Sequence, residues 1–106
     1  MSERATWLAN ELRRGFSPTH LEVEDESYRH RGHPGAAGGG GHFRVLIVSS
    51  TFTGLSRVAR QRAVYALLGD AMRSSIHALA LRTLTPDEWA REGGTAAEPA
   101  LASDAD

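Results

Sequence analysis

The chain has 106 residues, 41% of them apolar, which is enough for one small core and too little for two. No apolar run approaches the ~18 to 20 residues of a membrane span, and the opening MSERATWLANELRR lacks the charged-then-apolar layout of a secretory signal. Net charge is -1 and cysteine is absent, which excludes disulfides and any zinc or iron-sulfur site built on this chain's own thiolates.

Ser2 is placed to cap a first helix over about residues 3–15, in which Ala5, Leu8, Ala9 and Leu12 recur on one face before Gly15 and Pro18 stop it. HLEVEDES then alternates Leu21 and Val23 with Glu22 and Glu24, so the first strand is expected at 20–27 with one wet face. YRHRGHPGAAGGGGH follows, a long connection holding three histidines and a run of four glycines. HFRVLIVSS is a continuous apolar run, which predicts a central strand at about 42–50 covered on both faces.

Thr53 and Gly54 turn the chain. Ser56 can cap a helical stretch over 56–72 with Val64, Leu67, Leu68 and Ala71 on its apolar face, as one helix or as a short turn followed by a longer helix. SSIHALALRT reads as a third strand, apolar on both faces, and TPDEW starts a last helix with Thr85 as cap and Pro86 in the first position. The expected order is αββααβα, an α+β unit with three strands packed against helices. Residues 1–91 form this domain and carry a net +3. Residues 92–106, with Glu92, Glu98, Asp104 and Asp106 and no base, have the composition of a disordered acidic tail.

The glycine run is not a phosphate loop, because the chain has no lysine and the glycines lead into a strand instead of a helix. Ser49, Ser50 and His77 make no convincing nucleophile–base set, so no enzyme is expected. A zinc site of His30, His33, His42 and His77 lacks the fixed, close ligand pairs that structural zinc favours. By spacing alone, His77 is an ordinary polar residue near a strand end, and His20 a surface residue.

FSPTHLEVEDES, HFRVLIVSSTFTGLSRVARQRAVYALL and IHALALRTLTPDEW, taken in that order, resemble the BolA family over about residues 4–91. The resemblance rests most on the F-x-G turn (Phe52, Gly54), the R-x-R-x-V-Y helix (Arg60, Arg62, Val64, Tyr65) and the H-A-L strand (His77, Ala78, Leu79). It implies a class II KH-like fold, a three-stranded mixed sheet with the first two strands antiparallel and the third parallel to the second. It also implies an adaptor in iron-sulfur cluster assembly or iron regulation, paired with a monothiol glutaredoxin; the lack of an apolar span and of a signal layout sets the expectation of a cytoplasmic chain. The [2Fe-2S] cluster would be shared with that partner and its glutathione, and the chain alone would hold none. Carried over by position, the strand ligand is His77 and the loop ligand His30, with His33 as alternate. Alone, the chain is expected as a monomer or weak homodimer.

The chain departs from the family's pattern at Gln61, where a histidine is usual, and at PGAAGGGGHF, where glycines replace a polar pair. Those glycines raise the entropic cost of ordering the loop. A second reading is a KH-like DNA-binding transcription regulator using Arg57, Arg60 and Arg62. It lacks the G-x-x-G clamp of RNA-binding KH domains, since Gly54 is followed by Leu55, Ser56 and Arg57.

Overall fold

The stripe of apolar residues in the first helix is buried as its spacing predicts. The computed structural model describes residues 3–26, 41–74 and 76–94, with His77 described by its backbone. Helix α1, Glu3–Phe16, buries Ala5, Leu8, Ala9, Leu12 and Phe16. It runs one residue beyond Gly15 and ends where Ser17 adopts a left-handed φ of 44° and its N–H closes on the Arg13 carbonyl at 3.0 Å. Gly15 serves packing more than termination. A Cβ there would lie 2.6 Å from the Leu67 side chain, so the glycine lets the two helices meet.

Strands β1 (His20–Asp25) and β2 (Gly41–Val48) are antiparallel, in register from His20 opposite Val48 to Asp25 opposite Phe43. β3 (Ile76–Leu84) lies parallel to β2 on its other side, giving the order β1-β2-β3. After β2, Ser49 accepts from the Thr51 N–H at 3.1 Å and donates to the Phe16 carbonyl at 2.6 Å, tying a one-turn 3-10 helix (Ser50–Phe52) to the end of α1. Phe52 is fully buried beside Phe16, ring centroids 5.2 Å apart, and Gly54 makes the turn with φ 84°.

The 56–72 stretch is two helices. Ser56 caps α2 (Arg57–Leu68) through the Ala59 N–H at 3.1 Å; Gly69, at φ 56°, ends it, and α3 (Ala71–Ser74) is a single turn. Glycine takes that non-helical φ without steric cost, which is why the apolar periodicity does not continue as one helix. The last helix, α4 (Pro86–Arg91), begins with Thr85 and Glu88 in a capping box.

The core lies between the helices and one face of the sheet, with Leu8, Leu12, Val45, Ile47, Val64 and Ile76 at its centre. The opposite face is open, contrary to the two-sided burial expected of β2 and β3. Arg44, Ala78, Ala80 and Arg82 are exposed there, because the helices that bury the core pack on the other face of the sheet. At one end of that face, His20, Val48 and Leu84 form a row across the strands. Trp89 of α4 stacks on His20 at 4.7 Å and 18°. Gly94 returns against that indole, where a Cβ would come within 2.0 Å. Of the tail expected to be disordered over 92–106, residues 92–94 are described, with Glu92 paired to Arg82, and residues 95–106 lie outside the described residues.

One ion pair binds α4 to the rest. Arg60, on the buried face of α2 with Val64 and Leu68, meets both carboxylate oxygens of Glu88 at 2.7 and 3.1 Å and also donates to the carbonyls of Leu55 and Thr83 at 2.9 and 3.1 Å. The guanidinium hydrogen bonds and the Thr85 N–H hold the Glu88 carboxyl down to about 2, against the usual 4.5. The unfolded chain takes up that proton near 4.5, so the bridge contributes its full stability above that pH and loses it as pH falls toward about 2. Glu88→Ala should therefore cost on the order of 3 kcal/mol at neutral pH, by leaving Arg60 buried without its counter-charge, and flatten the acid limb of the stability profile. Arg57→Ala and Arg62→Ala, on exposed side chains, should stay within ~0.5 kcal/mol. Urea unfolding at pH 7 and along an acid series measures all three.

Candidate functional site

The end of the sheet opposite Trp89 is where the histidine-bearing segment attaches. β1 runs into it through Glu26, whose N–H donates to the His42 carbonyl at 2.8 Å and whose carboxylate lies 3.2 Å from Arg44. The chain returns at Gly41, the first residue of β2. Both anchors of residues 27–40 therefore sit at one end of the sheet, on neighbouring strands.

β3 begins at the same place, and its pairing there is irregular. Gly41 is opposite Ile76, but His42 is opposite Ala78, so His77 is the extra residue of a bulge in the parallel ladder. Bulges are uncommon in parallel pairs and re-aim the residue they free from the register. A residue on β3 next to His77 thus faces His42, and His42 is one step from the end of the 27–40 segment. His42, half-buried at the start of β2, is the described histidine nearest His77 along the ladder.

His30 and His33 lie outside the described residues. Covalent geometry still limits them: four residues span at most ~14 Å, so His30 is tethered that closely to Glu26, while seven residues give His33 a reach of about 25 Å. Among the described residues no three His, Asp or Glu side chains group as a metal site. Any metal held at this end must draw on the 27–40 segment, on His77, or on another molecule. The donors this chain can bring are imidazoles and carboxylates, since it has no thiolate.

The arginines of α2 separate. Arg60 is only 7% exposed and each of its three side-chain nitrogens donates to an internal acceptor, so it is withdrawn from the proposed nucleic-acid surface: it is a structural residue. Arg57 and Arg62 are exposed. Arg57 borders a cleft of about 430 Å³ with Leu84, Glu88 and Arg91, at the α4 end of β3. That cleft is eight strand residues from Ile76, or ~26 Å at the usual rise, and so is separate from the histidine end. Sequence reasoning missed the buried role of Arg60, although its spacing from Val64 and Leu68 (i, i+4, i+8) marks it as part of the inward face. The bulge at His77 left no sequence signal.

A family model described as BolA-like protein matches residues 12–88. The DNA-binding transcriptional regulator BolA of Escherichia coli (strain K12) is 44% identical over 82 residues, covering 77% of this chain and 75% of that protein. Among solved structures, the BolA domain of SufE1 from Arabidopsis thaliana is similar with a TM-score of 0.72 at 40% identity, covering 83% of this chain and 98% of that one. The solution structure of BolA1 from Mus musculus gives 0.73 at 33% identity, over 95% and 80% of the two chains.

Proposed function

Because the chain belongs to the BolA family, we propose that it is a non-enzymatic adaptor in iron-sulfur cluster assembly, trafficking or iron regulation, working in the cytoplasm as a heterodimer with a monothiol glutaredoxin. The complex forms without metal or around a [2Fe-2S] cluster. His77 is the strand ligand and His30 the loop ligand, with His33 as alternate; the partner's cysteine and its glutathione supply the sulfur.

The observation that carries this reading is the convergence at one end of the sheet: the bulge at His77 and both anchors of the 27–40 segment lie there together. The donor chemistry fits a shared cluster. A chain without cysteine contributes at most the imidazole half of the ligand set, and imidazole in place of thiolate lowers the cluster's negative charge and raises its potential. The shorter tether of His30 favours it over His33. Mixing the chain with cluster-loaded monothiol glutaredoxin should change the visible absorption and circular dichroism of the cluster. His77→Ala should abolish the change, and His30→Ala should weaken it more than His33→Ala. A spectrum unmoved by the chain, or moved equally by the His77→Ala variant, contradicts the ligand assignment.

The second reading is a DNA-binding regulator, favoured by the exposure of Arg57 and Arg62 and by the similarity to the DNA-binding transcriptional regulator of Escherichia coli. With Arg60 internal, the basic face is small, so affinity for duplex should be low and fall steeply with salt, each lost phosphate contact reducing the log–log slope by about 1. Binding that ignores both salt and Arg57→Ala removes this reading.

A further inference from the structure

The sheet ends in two unlike edges. β1 presents Glu22, Glu24 and Asp25 within six residues, and such charges discourage another strand from pairing. β3 carries one ionisable group from Ala78 to Leu84, Arg82, and that is neutralised by Glu92 at 2.7 Å.

Main-chain direction along β3 follows from its hydrogen bonds. The Leu84 carbonyl accepts from Ser49 N–H at 2.9 Å, so Leu84, Arg82 and Ala80 turn their main-chain groups toward β2. Thr83, Leu81 and Leu79 turn theirs away, since main-chain groups alternate along a strand. The Thr83 carbonyl is taken by Arg60 at 3.1 Å. At the other end the bulge at His77 breaks the regular ladder. Between these two stops, Leu79 and Leu81 present N–H and C=O groups on the open edge, with no internal acceptor or donor for them among the described residues.

We propose that this edge pairs with the β3 edge of a second copy of the chain, antiparallel about a two-fold axis at Ala80. Leu79 of one copy then exchanges hydrogen bonds with Leu81 of the other, and the two Ala80 residues face each other. The edge is self-complementary in the three ways that matter. Its outward main-chain groups are spaced two residues apart about a central residue. Its open-face side chains at 78 and 80 are exposed alanines, too small to collide across the seam. Its single arginine is already paired and falls opposite Ala78, not opposite its own copy. The association goes beyond the glutaredoxin reading and does not depend on it.

The absence of cysteine makes the test direct. Ala80→Cys puts the one thiol of each copy at a non-hydrogen-bonded position, with Cα atoms ~4.5 Å apart, inside the range a disulfide spans. Mild oxidation of the full chain should give a covalent dimer from Ala80→Cys and none from Arg62→Cys on α2. In the unmodified chain, sedimentation should show a concentration-dependent dimer, with the Leu79 and Leu81 amides exchanging about tenfold more slowly as it forms. Ala80→Lys, which sets two ammonium groups face to face, should weaken the dimer about tenfold without loss of folding. Equal crosslinking at residue 62, a dimer indifferent to Ala80→Lys, or amides at 79 and 81 that exchange alike at all concentrations would overturn the proposal. Protection of those two amides by single-stranded DNA in a chain that stays monomeric would overturn it too, by giving the edge to nucleic acid.

Discussion

The two hydrogen bonds between Arg60 and Glu88 hold together parts of the chain that share little apolar surface. α4 is six residues long and buries none of them fully, so its position rests on the ion pair, on its capping box and on the stack of Trp89 over His20. The same guanidinium closes the turn at Leu55 and takes the Thr83 carbonyl on the edge of β3. A charge as buried as Arg60 is tolerated because a carboxylate faces it and each of its three side-chain nitrogens is hydrogen-bonded. The match fixes the angle at which α2, β3 and α4 meet.

That constraint makes the two ends of the sheet different in kind. At the α4 end the row His20, Val48 and Leu84 is covered and its polar groups are paired. At the other end the ladder slips by one residue at His77, and both ends of the 27–40 segment are attached beside it. In the proposed assignment, a ligand on a strand next to one on the 27–40 segment would suit a cluster that must be released again, since the segment could withdraw while the strand kept its place. In the proposed complex the glycines of the 27–40 segment would raise the entropic cost of ordering it.

Much of this was legible in the residues. Period-two alternation in HLEVED, the β-branched run in HFRVLIV and the capping signals of Ser56 and Thr85 placed the elements to within two or three residues. Two features were not. The open face of the sheet was hidden because Leu46 and Val48 make β2 apolar on both sides, although Arg44 on that outer side is exposed. The break at Gly69 was hidden because Ala71 continues the apolar spacing of Val64, Leu67 and Leu68 past a glycine whose φ stops the helix. At the candidate site, the histidines were visible by type and position, but the bulge that singles out His77 depends on how two strands 30 or more residues apart are paired. Arg60 was counted with the exposed arginines because charge was weighed ahead of its i, i+4, i+8 relation to Val64 and Leu68.

The central claim is that this chain ligates iron through imidazole nitrogen at the His77 end of the sheet. Pulsed electron paramagnetic resonance on the reduced complex with a monothiol glutaredoxin, prepared with ¹⁵N-histidine in this chain alone, reads that bond directly. The account predicts couplings from two inequivalent imidazole nitrogens, one of which disappears in His77→Ala. A reduced cluster with no histidine nitrogen coupling from this chain would contradict it.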